Sequence, residues 1–265
     1  MILSVGIFTA LNTGAEELTI TQNNYQEIIK QQAAELAGVA ADDMQVVELG
    51  GNGSVSTQSI NDSNELVLEV VTETDGLVEH KIIIPKLVVG NELVNSFAYA
   101  EEMLDNMDDG IMPMDAHIPF PFEKATDAVF NVSCYYYVTH TGIGSDPLFT
   151  PKSLYFSWNS ENSGVDVEDV DIYFDCNGYY YRLNPYASMG YEKQANFSVY
   201  KWQPEKGVAY GDWAQAMDDN YALLCSAPEQ CGLMDYSMTY IVNGIRYYEP
   251  KGYPTTIFNE SGDKG

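Results

Sequence analysis

The stretch Val170-Asp171-Ile172-Tyr173-Phe174-Asp175-Cys176-Asn177-Gly178-Tyr179-Tyr180-Tyr181-Arg182-Leu183 alternates apolar and polar side chains up to an Asn-Gly dipeptide and takes the pattern up again beyond it. Strict alternation marks a strand with one buried face. Asn-Gly between two such runs favours a two-residue hairpin turn, because both central positions need a positive φ. The spacing therefore predicts a hairpin over 170–183 turning at Asn177-Gly178. Its register sets Val170, Ile172, Phe174 and Cys176 on the core face with Tyr179, Tyr181 and Leu183. Asp171, Tyr173 and Asp175 then face outward with Tyr180 and Arg182.

Working outward, the same period recurs. Phe130, Val132, Cys134, Tyr136 and Val138 alternate with Asn131, Ser133, Tyr135, Tyr137 and Thr139. Shorter runs fit strands at Leu154–Trp158, Phe197–Trp202, Val208–Trp213 and Leu223–Ser226. Tyr236–Val242 joins Ile245–Glu249 through Asn243-Gly244. Short strands with turn dipeptides between them predict an antiparallel β-sandwich over 125–259.

Towards the N-terminus the period is helical. Asn24-x-x-Glu27 reads as a capping box opening a helix whose face is Tyr25, Ile28, Ile29, Gln32 and Leu36, with Gly38 as its stop. From about Met44 the period is 2, and Leu66, Leu68, Val70 and Thr72 read as one face of a half-buried strand. A two-residue Asp75-Gly76 loop would set Val70 opposite Lys81. A three-residue Thr74-Asp75-Gly76 loop pairs Leu66, Leu68, Val70 and Thr72 with Ile84, Ile82, His80 and Val78 and sets Glu69 across from Lys81; it is the preferred register. It makes His80 a core histidine. A strand-like run over 86–97 and a short helix over 98–107 follow, then a segment bearing Pro113, Pro119 and Pro121.

The expected organisation is a signal peptide over 1–15, a small α+β domain over 16–110, a proline-bearing linker over 111–124, the sandwich over 125–259 and a disordered tail over 260–265. The fold class is mainly β, a C-terminal antiparallel β-sandwich preceded by a small α+β domain. Met1–Leu11 is apolar and uncharged, and Thr13-Gly14-Ala15 offers small residues for cleavage. The run lacks a basic n-region, as a signal peptide truncated at its start would. It is too short to span a bilayer, which needs about 20 residues. A buried N-terminal strand is the rival reading. The expected location is secreted and extracellular, without membrane insertion.

Charge narrows the partners. Among 265 residues, 39 are acidic and 12 basic, a formal net charge of −27. Such a chain cannot neutralise a run of phosphates, which excludes a nucleic-acid binder and disfavours anionic membranes. Apolar residues make up 45% of the chain, enough for a sizeable core, so the low-hydrophobicity signature of a disordered chain is absent.

The early aromatic strand Cys134-Tyr135-Tyr136-Tyr137, the middle Asn-Gly-Tyr run at 177–179 and the closing Tyr247-Tyr248 pair give the C-terminal half a resemblance. Over 125–258 it resembles a group of uncharacterised secreted Gram-positive β-sandwich proteins. The resemblance implies a fold and an exported context. It carries no catalytic motif and implies no activity.

Cys134, Cys176, Cys225 and Cys231 suit an oxidising compartment and are expected to form disulfides, with three pairings open. A Cys134–Cys176 bridge would staple two strands of the sandwich, and a Cys225–Cys231 bridge would pin a local loop. Two buried thiols acting as small apolar groups are the alternative for the first pair. A nucleophilic Cys-His pair is disfavoured, because the cysteines lie among carboxylates that raise a thiol's pKa.

Asp169, Asp171 and Asp175 share one strand face, and neighbours two apart stand about 7 Å from each other, within the range of glycosidase carboxylate pairs. Asp169-Val170-Asp171-Ile172-Tyr173-Phe174 is similar to the Glu-x-Asp-x-x-Glu signature of jelly-roll glycosidases. Phe174, however, holds the place of the second Glu, so half of that mechanism is missing. Asp105–Gly110 begins like a calcium loop, but Met107 and Ala116 occupy ligand positions, which excludes an EF-hand. A looser calcium site among Asp166, Glu168, Asp169 and Asp171 remains as the one cofactor candidate.

The outward Tyr135, Tyr137, Tyr173 and Tyr180, with Arg182, form a candidate aromatic platform for a glycan or a protein, since Tyr offers a rigid ring with a polar tip. Cross-strand tyrosine packing is the structural alternative. The leading expectation is a secreted, non-catalytic binding or interaction module for a glycan or protein. The second is a secreted glycosidase using the carboxylates on strand 169–175.

Overall fold

A computed structural model describes residues 20–21, 23–49, 65–108, 124–140, 147–212, 217–225, 232–249 and 255–256. In chain order these form α1 (Tyr25–Ala37), a single 3-10 turn (Ala41–Asp43), β1 (Gln45–Leu49), β2 (Glu65–Thr74), β3 (Leu77–Val89), β4 (Glu92–Asn95), α2 (Ser96–Asp108), β5 (Ala128–Thr139), β6 (Leu148–Ser160), β7 (Val165–Leu183), β8 (Tyr186–Trp202), β9 (Tyr210–Asp212), β10 (Tyr221–Cys225), β11 (Leu233–Val242), β12 (Ile245–Glu249) and β13 (Thr255–Thr256). The class is the expected one, mainly β and antiparallel with a small α+β part leading.

All the strands belong to one sheet, in the order β1-β2-β3-β5-β6-β10-β7-β11-β12, with β4, β8, β9 and β13 paired beside that path. The sheet folds over on itself. Val67, Ile82 and Ile84 from the early strands share a core with Val170, Ile172, Phe174 and Met238 from the late ones, around Phe130, Phe156 and Trp158. The terminal strand β12 is tied back to β3 where the buried Lys86 donates from Nζ to Glu249 Oε1 at 3.0 Å.

This continuity changes the expected organisation. β3 pairs with β5 over ten residues, from Leu77↔Tyr137 to Lys86↔Ala128. Gln32 Oε1 on α1 accepts the backbone N–H groups of Ala125 and Thr126 at 2.7 and 2.9 Å. The α+β segment and the β-rich segment therefore share one sheet rather than standing as two domains on a linker. Residues 1–15, 111–123 and 260–265 lie outside the described residues.

The helices pack on the outer side of the same strands. Leu68, Val70, Ile83 and Val129 meet Tyr25, Ile29 and Ala33 of α1 and Phe97 and Leu104 of α2 in a second core. β2 at Val67 and Leu68 and β3 from Ile82 to Leu87 are thus buried on both faces, and over that part alternation does not mark one register against the other. The turn is the two-residue Asp75-Gly76, with φ of 53° and 81°, and Val70 lies opposite Lys81. One-sided alternation cannot choose a register when neither face is wet. His80 is nonetheless a core residue, 6% exposed, on the inner face with Ile82.

The capping box also does not form. Asn24 precedes α1, but its Oδ1 accepts the Thr21 N–H at 2.7 Å, outside the helix. Gly38 ends α1 in the left-handed conformation, φ 68°, as expected.

The larger correction falls on 170–183. No hairpin turns at Asn177-Gly178; β7 runs straight through it as one strand from Val165 to Leu183. The turn lies further on, where Leu183 pairs with Tyr186 across a cis Asn184-Pro185 bond. Gly178 serves a different purpose. A Cβ there would stand 2.3 Å from the backbone oxygen of Leu224 in β10, so glycine permits that strand's close approach. The second dipeptide, Asn243-Gly244, is the expected turn, with φ of 51° and 83° and Val242 paired to Ile245.

Candidate functional site

Because β7 is unbroken, its even-numbered residues from Val170 to Tyr180 face the core and its odd-numbered residues face outward. Tyr180 is therefore not on the platform. It is 8% exposed and stacked on Tyr221, ring centroids 4.9 Å apart. Burial raises the pKa of its phenol, with the nearby Tyr221, Tyr191 and Asp218 adding to the shift. Arg182 shares its parity, and its Nε donates to the Pro185 carbonyl at 3.2 Å.

Tyr135 and Tyr137 do not join Tyr173 either. They lie on β5, which faces β7 across the core, so their outward sides belong to a different wall. Tyr135 packs edge-on against Tyr155 at 5.1 Å. Its phenol is raised well above the ordinary range by burial and by a hydrogen bond with Glu79. Tyr137 lies 5.7 Å from the Lys152 ammonium. Both are cross-strand packing residues, half-buried in their own sheet.

The outer face of β7 and β8 carries a different tyrosine set. Of the ten large apolar or aromatic residues exposed among the described residues, six lie on this one hairpin: Tyr173, Tyr179, Tyr186, Met189, Tyr191 and Tyr200. Tyr191 belongs to the opposite side, its ring centroid 5.5 Å from that of the inward Tyr180. Tyr173 and Tyr179 share the outer side of β7, and Tyr181 stacks on Tyr186 at 5.7 Å. Between them the register sets Asp175 against Asn196 and Asn177 against Gln194. Gln194 Nε2 donates to both Asp175 oxygens, at 2.9 and 3.0 Å, and Asn177 Nδ2 approaches one of them at 3.4 Å. The result is a solvent-facing row of amides and carboxylate flanked by rings.

The carboxylates are engaged structurally. Asp171 Oδ1 accepts the Lys201 N–H at 2.6 Å, where β8 bulges against β7. Asp169 lies next to a register shift against β11. A cleft of about 180 Å³ is lined by Gln32, Glu35, Leu36, Lys124, Thr126 and Glu161, and by none of the three aspartates. Ligand cavities are larger, roughly 300–1,000 Å³.

The calcium candidates do not converge. Glu168 pairs with Arg246 Nε at 2.5 Å, Asp166 is exposed, and among the described residues no group of three or more His, Cys, Asp and Glu is placed to hold a metal.

Cys134 and Cys176 are buried thiols, not joined in the expected bridge. Burial raises both, Cys176 to about 12, and Cys134 is raised further by Cys176 nearby. They stay protonated and act as small apolar groups within the core. Cys225 is disulfide-bonded, as expected; Cys231 lies outside the described residues. Beside Cys134 on the sheet, His80 Nε2 lies 2.5 Å from Glu69 Oε1, and that hydrogen bond is the main reason the Glu69 carboxyl sits below its ordinary range.

Fold and site together define an acidic, antiparallel β protein with a tyrosine-and-amide face. No family model, no curated protein and no solved structure matches the chain. Among the described residues no helix is long and apolar enough to cross a membrane.

Proposed function

We propose that this is an extracellular, non-catalytic binding module whose ligand lies on the outer face of β7 and β8. The observation that carries the reading is the concentration of exposed tyrosines on that one hairpin of a chain with charge −27. Exposed aromatic patches of this kind mark interaction surfaces. Hydrolysis is the weaker alternative, since Asp171 and Asp175 are tied to backbone and amide donors and stand apart from the cleft at Gln32, Lys124 and Glu161.

The test is a binding screen of the full chain against immobilised glycans and extracellular proteins, with Tyr173→Ala/Tyr179→Ala beside wild type. Each tyrosine acting as a binding anchor is worth about 2 kcal/mol, or ~30-fold, so the double variant is expected to lose on the order of a thousandfold in affinity with a melting temperature lowered by no more than a few degrees. Undiminished binding by the double variant refutes the face. Turnover of a glycoside that Asp171→Asn abolishes would restore the enzyme reading.

A further inference from the structure

We infer that the ligand is an uncharged glycan chain lying extended along β7; this rests on the outer β7–β8 face being the binding surface. Three features of that face select the class.

The first is length. Tyr173 and Tyr179 point the same way six residues apart, which at about 3.3 Å per residue places the rings roughly 20 Å from each other. The Tyr181–Tyr186 stack extends the line by two further residues. A single sugar cannot touch both rings, whereas an oligosaccharide can.

The second is the order of chemistry along that line. A protein-binding patch has an apolar centre and a polar rim. This face is the inverse, with rings at the ends and Asp175, Asn177, Gln194 and Asn196 in the middle. Gln194 fixes the Asp175 carboxylate through both oxygens, so the polar row is oriented before any ligand arrives. Each amide keeps further N–H and carbonyl capacity for hydroxyl groups. Alternating ring faces and hydroxyls are what a sugar chain presents, and Tyr rings stack on the former while amides bond the latter.

The third is charge. From Tyr173 to Tyr181 and from Tyr186 to Ser198, the outward residues include Asp175 and Glu192 and no Lys or Arg. Lys193 turns to the other side, over the Tyr180 ring at 4.5 Å. A cation adjoins the line only beyond Tyr173, where the Lys201 ammonium lies 5.3 Å from the Tyr200 ring. Along the Tyr173–Tyr181 stretch, carboxylates with no cation among them repel uronate, sulfate and phosphate polymers. Both carboxylates remain able to accept hydroxyl hydrogen bonds from an uncharged chain.

The experiment is native affinity electrophoresis of the full chain through gels holding uncharged linear glucan, mannan or galactan, a uronate polymer, or a glucosamine polymer, at low and high salt. Tyr173→Ala, Gln194→Ala and Tyr248→Ala run beside wild type; Tyr248 is 66% exposed and lies on β12, outside the β7–β8 hairpin. The expected result is retardation by at least one uncharged polymer, insensitive to salt. Tyr173→Ala and Gln194→Ala should each weaken it at least about tenfold, Tyr248→Ala should leave it unchanged, and long oligosaccharides but not the monosaccharide should compete.

Retardation by the uronate or glucosamine polymer alone overturns the uncharged class, as does failure of every uncharged polymer. If a protein ligand from the screen is lost with Tyr173→Ala/Tyr179→Ala while no glycan binds, the face stands and the glycan falls. Glycan binding that both Tyr173→Ala and Gln194→Ala leave intact removes the face itself.

Discussion

Gly178→Ala separates the continuous strand from a hairpin by energy alone. The added Cβ would meet the Leu224 carbonyl oxygen at 2.3 Å, its carbonyl carbon at 2.9 Å and the Leu223 Cβ at 3.1 Å. Non-bonded heavy atoms sit comfortably at about 3.5 Å, so one strand must yield by roughly 1 Å. The nearest obstacle is backbone, which cannot rotate aside, and β10 is tied to β7 by only five residue pairs, ending at Cys225↔Gly178. Overpacking of this kind costs about 1–3 kcal/mol, and losing a ladder hydrogen bond at that end adds about 1 kcal/mol. The expected cost is therefore about 2–4 kcal/mol, or a fall in melting temperature of roughly 5–10 °C for a chain of this size.

A hairpin predicts a different pattern. Asn177 and Gly178 would both need positive φ, and alanine at either would cost about 1 kcal/mol. In the strand, Asn177 is a half-buried outward residue, and Asn177→Ala should cost only a few tenths of a kcal/mol. Gly244→Ala is the internal standard, because its φ is 83° but nothing lies within 4 Å of the added Cβ. Urea unfolding followed by far-ultraviolet circular dichroism measures all three variants. A Gly178→Ala cost no greater than that of Gly244→Ala, or an equal cost for Asn177→Ala, would falsify the strand assignment.

Three further outcomes are expected. Tyr180→Ala, losing a buried ring stacked on Tyr221, should cost about 3 kcal/mol, whereas Tyr179→Ala, 47% exposed, should cost under about 1 kcal/mol; equal urea midpoints would reverse the parity of β7. Cys134 and Cys176, enclosed and raised in pKa, should resist iodoacetamide at pH 8 in native protein and label fully in denaturant without reductant, as read by peptide mass. Absent labelling in denaturant would mean the two thiols are oxidised. Glu69 has a folded pKa below its unfolded value of about 4.3, so its contribution to stability is present above that value and lost as pH falls through the folded one. Glu69→Gln should therefore flatten the acid limb of the stability curve below about pH 5; an unchanged acid limb would show that the His80 contact contributes nothing.

The antiparallel class is legible in the sequence because period-2 alternation survives in nearly every strand, and a turn such as Asn243-Gly244 needs only local chemistry. What is not legible depends on what covers each face. The alternation of Leu66, Leu68 and Val70 with Val67 and Glu69 implies one wet face, yet α1 and α2 dry the outer side and the folded sheet dries the inner one. Register then passes to the two positive φ values at Asp75-Gly76, which either loop length could have used. The single sheet is hidden for the same reason. Nothing in the residues at 77–86 or 128–137 specifies that they pair with each other, because the contact joins segments separated by the proline-bearing stretch.

The expected and the observed faces of β7 differ by one step of phase, and that step decides the chemistry. Asn-Gly is a turn only if both residues can hold positive φ and the flanking strands have each other as partners. At 177–178 the flanking residues instead have β8 along one edge and β10 then β11 along the other, so the strand gains more ladder by continuing than by turning. Reading the alternation through the dipeptide, from Val165 to Leu183 without a break, would have sent Tyr179 and Tyr181 outward and Tyr180 inward. A hairpin with Tyr180 and Arg182 beside Tyr173 offers a cation on the platform and invites an anionic ligand. The unbroken strand removes that cation and sets amides from β8 between the rings, so the same fourteen residues point to an uncharged partner. Ligand class here follows from strand parity, and parity follows from whether Leu224 can approach residue 178.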